Sequence, residues 1–407
     1  LSDKWTSQTQ VAGSSSKATG YYQYLWDSSN GDEFTRFISK ANSETLATGI
    51  QQNFIGDFTL GNMRNRLVVG LDYLSTKVIN NDSEWRTFGT VSLKSQTDTS
   101  PLTSQGADAA LLDAKVIPAT AETNIKSAYF SNVLNIFPQL AAMVSLRIDQ
   151  FSGKPTQWST EEIESQSTFS PKIGLVYQPV INKLSLFANY MNGFQYLTPQ
   201  KVTDANGNNP SIKIFDPERA NQWEVGAKAN LIDNTLSLTA SYYDIKVSNK
   251  IMADPANINN SIQGGEVFSK GFEISVVGNP VEGLNVIAGF SKNKSEQISG
   301  DEAYNGLRPE EAGPEMLINF WANYKIPNGI LRNFVAGFGF IHASEHKTLN
   351  RTGIGTFTLP EYTVANAMIG YHPENYSISL KLDNIGNTRY YSGWSTVTPQ
   401  RLRTLSL

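Results

Sequence analysis

The chain of 407 residues has no cysteine, so disulfide scaffolds, thiolate metal sites and cysteine nucleophiles are excluded together. It has only three histidines, and no apolar stretch is long enough for a transmembrane helix. Charge is scarce: 17% of residues are Asp, Glu, Lys or Arg, against about 25% in ordinary soluble domains. The 33 basic and 37 acidic side chains leave a net charge of −4 with no run of one sign, which argues against a nucleic-acid partner. The opening residues, Leu1 to Trp5, lack an initiator methionine and the basic and apolar regions of a signal peptide, so a mature or truncated product is expected. What is present is 31 Gly, 17 Tyr, 20 Phe and 7 Trp. A chain short of charge yet not hydrophobic overall suits a surface that is not entirely wet. A closed β-barrel spans a membrane with no helical signal at all.

Period two runs through most of the sequence. Leu236, Leu238, Ala240 and Tyr242 alternate with Thr235, Ser237, Thr239 and Ser241. Tyr376, Ile378, Leu380 and Leu382 alternate with Ser377, Ser379, Lys381 and Asp383, and 140–149 and 222–231 repeat the pattern. Successive side chains on a strand point to opposite faces, so each segment has an apolar and a more polar face. No convincing 3.6-residue stripe competes. The fold class is all-β.

The connectors select the architecture. Short ones, such as 61–63, 180–183, 232–234, 279–283 and 327–329, carry turn residues. They alternate with long polar loops expected at 27–43, 81–122, 153–168, 195–219, 248–263, 298–313, 347–357 and 389–399. A soluble sandwich or solenoid has no need of that asymmetry. A transmembrane antiparallel β-barrel of the outer membrane has it, with short periplasmic turns and long extracellular loops. About sixteen strands are expected. Tyr73, Tyr177, Tyr190, Tyr242, Tyr324, Tyr371 and Tyr376 sit at strand ends, where an interfacial girdle facing outer-membrane lipids belongs.

Several stretches carry a family resemblance. Ser170, Pro171, Lys172, Ile173 and Gly174 run into Leu175, Val176, Tyr177, Gln178 and Pro179, and then 184–190 follows. Phe215, Asp216, Pro217 and Glu218 lead to Gln222, Trp223, Glu224, Val225 and Gly226, with Gly271, Phe272, Glu273 and Ile274 further on. Leu359, Pro360, Glu361 and Tyr362 come later, then Leu382, Asp383, Asn384, Ile385, Gly386 and Asn387. In this order and spacing the sequence resembles the barrel of TonB-dependent siderophore receptors. The resemblance implies a barrel of about 22 strands closed by an N-terminal plug. It also implies energised uptake of a ferric siderophore or similar chelate, with TonB engaging the plug.

Two departures stand out. Nothing near the N-terminus reads as a plug, and about sixteen strands fall short of about twenty-two. The whole of 1–407 is therefore expected to be part of a barrel, with the plug and first strands outside this sequence. A passive porin is the main alternative, and a structural or adhesive surface barrel is another. Within the family, haem, cobalamin or glycans are alternative ligands.

No catalytic residue, metal ligand or cofactor is assigned. His342, Glu345 and His346 have the H-x-x-E-H spacing of inverted zinc proteases, but they follow a strand pattern. On a strand, positions four apart lie about 13 Å from each other, too far to share one zinc. For ligand binding the candidates are Tyr22, Tyr24 and Trp26, which share one face of the first strand, and Tyr390, Tyr391 and Trp394 in the last long loop. Rigid aromatics at a mouth hold a chelate by stacking, although interfacial packing would use the same residues. Which face of the first strand looks inward is open. Glu224, Lys228, Glu273, Lys381 and Asp383 fall on expected lumen faces, either touching a plug or, more simply, balancing one another.

Overall fold

The computed structural model describes residues 2–27, 31–99, 102–154, 163–197, 199–204, 208–254, 257–298, 301–394 and 397–407. Alternating segments become strands that pair with their sequence neighbours in one 18-stranded antiparallel sheet. Two of these, Arg86–Ser92 and Thr97–Asp98, only extend its outer end. The remaining sixteen form the wall, as the alternation predicted. They are β1 Trp5–Asp27, β2 Glu33–Leu60, β3 Met63–Asn80, β4 Ala119–Phe137, β5 Leu140–Lys154 and β6 Ile163–Val180. Next come β7 Leu184–Gln195, β8 Glu218–Leu231, β9 Leu236–Asp254, β10 Asn257–Gly278 and β11 Leu284–Ile298. The wall ends with β12 Met316–Lys325, β13 Phe334–Ala343, β14 Tyr362–Tyr371, β15 Ile378–Asp383 and β16 Thr404–Ser406. Each pairs with the next, and no ladder joins β1 to β16 among the described residues.

Two expected loops are largely wall strand, and a third, 347–357, is a separate hairpin of His346–Arg351 with Gly355–Leu359. The segment 27–43 is mostly β2, and 248–263 is taken up by β9 and β10, which run to Asp254 and from Asn257. Both lie at the long-loop end, where water bathes both faces and removes the apolar half of the alternation. A register shift at Lys250, beside Asn249 at φ 58°, disturbs the period further. The expected loop 81–122 contains a short helix, Ser104–Ala110, capped by Thr103. Its Ala107 and the following Leu111 bury Ile38 of β2 with Phe88. Two turns are too short to leave a readable helical stripe. The opposite end is built of tight turns. At one of them Gly283 has φ 84°, and a side chain there would collide with the Lys325 carbonyl.

Directly paired residues on neighbouring strands share a face, so the register sorts the whole wall. Gln10 pairs Gln51, Gln51 pairs Asp72, Asp72 pairs Ser127, and Ser127 pairs Asp149. This polar face is the lumen. The other face of β8 reads Leu231, Ala229, Ala227, Val225 and Trp223; that of β6 reads Tyr177, Leu175, Ile173, Pro171 and Phe169. Five alternate residues cover about 27 Å of strand, or about 20 Å of height at a tilt near 40°. Val225 and Ile173 are each 51% exposed and Trp223 64%, which suits lipid and not water. Among the described residues no helix is long and apolar enough to cross a membrane; closed barrels cross with strands. Aromatic rings edge the band, with Phe334 packed 5.0 Å from Tyr371 at the tight-turn end and Tyr190 4.7 Å from Trp223 at the other.

Inward aromatics need room on a crowded concave wall, and glycines on adjacent strands provide it. The Tyr129 ring covers Gly70, Phe187 covers Gly226, and Trp321 covers Gly339. A side chain at Gly339 would run into Trp321 and the Phe320 carbonyl. Gly339→Val is expected to destabilise the barrel by about 1–3 kcal/mol through overpacking. A lower midpoint in the heat-induced shift between folded and unfolded gel bands would show it.

Candidate functional site

The lumen wall carries one continuous polar network. Arg147 of β5 donates from Nε to Asp149 at 2.8 Å, from Nη1 to Asp72 of β3 at 2.9 Å and from Nη2 to Ser127 of β4 at 2.7 Å. Ser127 donates to Asp149 at 2.5 Å, and Tyr129 donates to Asn53 at 2.6 Å and lies under the Arg147 guanidinium at 5.2 Å. Every strand from β2 to β5 is tied to this arginine or its partners. Arg147, Asp149, Asp72, Ser127 and Tyr129, together with Gln51, Ser170 and Lys172, line a cavity of about 690 Å³. Fixed, paired charges on a wet wall give a rigid polar surface for another polar body to rest on.

The five expected lumen charges do face inward. Glu224 pairs across to Asn189, Lys228 to Ser185, Glu273 to Ser241, Lys381 to Met368, and Asp383 to Thr404. They do not balance one another, however: among the described residues none of the five makes an ion pair, because the register sets each opposite a neutral residue. Glu224 instead accepts weakly from Asn189 and Gln222, at 3.3 and 3.4 Å.

Above this network the wall becomes aromatic. Tyr22, Tyr24 and Trp26 lie an even number of residues from Gln10 on a strand whose pairing with β2 has no register shift, so all three face the lumen side. Tyr24 stacks on Phe37 directly across at 5.1 Å, meets Trp85 edge-on at 4.8 Å and lies 6.3 Å from Trp26. Trp26 is 60% exposed and Trp85 46%, so the group is open at the mouth. Tyr22 faces Ser39 and, among the described residues, adds no ring contact. Phe37 and Trp85 were not expected, since both fall in segments read as loop.

The second expected group is only partly assembled. Tyr390 packs 4.5 Å from Tyr362 of β14 beside a cavity of about 310 Å³ that also touches Asn384 and Arg401. Tyr391 lies in a small hairpin with Thr398–Pro399, and Trp394 is exposed nearby; neither joins the Tyr390 stack. The two groups occupy the first strand and the last connection.

Three outer loops are locked together between them. Arg351 grips Glu310 with two hydrogen bonds of 2.8 and 3.1 Å and covers the Tyr304 ring at 5.5 Å. Tyr304 donates to the Ala253 carbonyl at the tip of β9, and the Asn350 amide donates to Glu310 at 3.0 Å. The Glu310 hydrogen bonds push the Arg351 pKa up, and burial does the same for Tyr304. Burial pushes the Tyr196 phenol, stacked on Phe151, to about 12. Arg351→Ala would strand the mostly buried Glu310 and is expected to cost about 1–3 kcal/mol locally. Faster proteolysis and amide exchange across 301–315, with the barrel unchanged, would register it.

The H-x-x-E-H residues span a strand end and the break after it, a polar strand-to-loop transition, with Ser344 and Glu345 outside any strand. His342 is on β13, its Nδ1 2.9 Å from Thr363 Oγ1, and His346 opens a separate hairpin with 355–359.

Residues 1–385 match the family profile described as "TonB dependent receptor-like, beta-barrel". The chain belongs to the TonB-dependent receptor β-barrel family. Its barrel is therefore that of an outer-membrane receptor, and receptors of this kind are not enzymes. The metal-pseudopaline receptor CntO of Pseudomonas aeruginosa is 28% identical over 238 residues, 57% of this chain and 31% of that protein. The ferric-catecholate import receptor Fiu from Escherichia coli K12 superposes with a TM-score of 0.78 at 19% identity, over 100% of this chain and 61% of that one. The siderophore receptor PiuA from Acinetobacter baumannii gives 0.78 at 18% identity, over 100% and 62%. This TonB-dependent receptor barrel thus spans about a third of its curated relative and about three-fifths of the solved structures it resembles.

Proposed function

We propose that the chain forms the barrel wall of a receptor for energised uptake of ferric siderophores across the outer membrane. The observation that carries this reading is the open aromatic group of Tyr24, Trp26, Phe37 and Trp85 on the lumen face, at the long-loop end of a TonB-dependent receptor barrel. The proteins it resembles are named for metal-pseudopaline, ferric-catecholate and siderophore binding, which have a metal chelate in common. In this reading Tyr22, Tyr24 and Trp26 meet the chelate from one side of the mouth, and Tyr390, Tyr391 and Trp394 from the last outer loop. The network around Arg147 is the polar seat for a plug, and TonB acts through that plug to release the chelate inward. Further strands and the plug belong to the intact protein. The barrel does no chemistry of its own.

The test is equilibrium binding to the intact receptor, read by quenching of tryptophan fluorescence. Ferric catecholate and ferric hydroxamate chelates are titrated beside their iron-free forms, haem and cobalamin. Saturable quenching by a ferric chelate alone is the expected result. No saturable binding, together with steady ion conductance in a planar bilayer, would establish the porin instead.

A further inference from the structure

One short segment puts a ring on each side of the wall. Arg86 pairs Ile38 of β2 and Thr87 pairs Phe37, so Thr87 shares the lumen face with Phe37 and Arg86 the outward face with Ile38. Trp85 reaches the lumen side, where it meets Tyr24 edge-on at 4.8 Å. Phe88, three residues on, packs on the outward side against the core of Ile38, Ala107 and Leu111. Ile38 is fully buried there. The helix Ser104–Ala110 comes so close that a Cβ added at Gly106 would lie 3.3 Å from the Phe88 ring.

Both chain neighbours of Trp85 are tied to this outward core. The Glu84 amide donates to the Lys115 carbonyl at 2.8 Å, and the Glu84 carboxylate accepts from the Lys115 amide at 3.2 Å and from Arg86. Arg86 also donates to the Asp113 carbonyl at 3.3 Å. Between those two anchor points Ala114 packs against the same core. Trp85 itself is 46% exposed, and among the described residues its one ring contact is Tyr24. Its own burial therefore does little to orient it. The segment that carries it is held from the other side of the wall.

We propose that Ile38, Ala107 and Leu111 are positioning residues for chelate capture: a small apolar core outside the barrel fixes Trp85 inside the mouth. The inference rests on the mouth as the chelate site. A ring held in place beforehand spares the complex the cost of immobilising it.

Leu111→Ala opens a cavity in this core and touches no ladder of the sixteen-stranded wall. In the intact receptor labelled with 5-fluorotryptophan, the Trp85 resonance is identified by its loss in Trp85→Phe. In Leu111→Ala that resonance is expected to shift and broaden, while the Trp223 resonance stays unchanged. Ferric tris-catecholate and ferric tris-hydroxamate are then titrated against the same proteins. Leu111→Ala is expected to weaken the chelate that binds by about two- to tenfold, the effect of freezing one mobile side chain on binding. In a Trp85→Ala background the same change should have no effect, a result that a merely structural role would not produce. Leu111→Met should keep the wild-type affinity, and Leu112→Ala, at a neighbour 82% exposed, should alter neither readout. Should Leu111→Ala not fold, Ile38→Val makes a smaller cut in the same core and should move both readouts less, in the same direction. An unmoved Trp85 resonance, or an equal loss of affinity with and without Trp85, would overturn the proposal. Failure of the wild type to bind either chelate would overturn the chelate reading instead, and the resonance alone would then decide whether the core holds the ring.

Discussion

Replacing Tyr24, Trp26 and Trp85 together by alanine is expected to weaken ferric-chelate binding by about thirtyfold or more. The three rings form one contiguous surface with Phe37, open to water on the lumen side and fixed by mutual packing. Rigid aromatics at the centre of a recognition surface commonly contribute about 2 kcal/mol or more each on truncation, and neighbours are not additive. Thirtyfold is therefore a lower expectation for the set. Trp223→Ala is the matched control: this ring is more exposed than any of the three, but it points to lipid. It should leave affinity unchanged. An equal loss in both variants would mean that barrel integrity was being measured and not the mouth. Tyr390→Ala should have a smaller effect, because among the described residues only the Tyr362 ring packs against it.

The second large effect concerns the membrane. Ala227 lies midway along the outward face of β8, between Leu231 and Trp223. Ala227→Arg is expected to destabilise the folded barrel by about 2–4 kcal/mol, the cost of a guanidinium at the bilayer midplane. Asn221→Arg, on the same face and strand but beyond the apolar run, should cost no more than about 1 kcal/mol. Reversible unfolding in lipid vesicles measures both. Equal costs would mean that the band has been placed at the wrong height.

These contrasts also explain what could be read from sequence. Where lipid lies on one side and water on the other, every second residue is constrained. Segments such as 222–231 and 235–242 therefore declared both strand and facing. Beyond the membrane that constraint ends. Polar stretches of β2, β9 and β10 looked like loops, although β2 is laddered without a break and β9 and β10 stay paired across their register shifts. The site was legible to the same degree. Tyr22, Tyr24 and Trp26 stood out because they recur at period two within one strand. Phe37 and Trp85 join them only through hairpin register, which no local spacing records. Arg147 is a similar case. Its partner Asp72 is two strands away, and the alternation of β5 marked the arginine as lumen-facing but gave no sign of that bond. The expected balance among Glu224, Lys228, Glu273, Lys381 and Asp383 failed for the same reason: sharing a face does not set partners opposite one another.

The most direct test of the account is uptake of a ⁵⁵Fe-labelled chelate by iron-starved cells producing the intact receptor, with and without functional TonB. The account predicts saturable accumulation that disappears without TonB or when the proton gradient is collapsed, while chelate binding at the cell surface persists. Undiminished accumulation without TonB would show passive flow through the barrel and would contradict it.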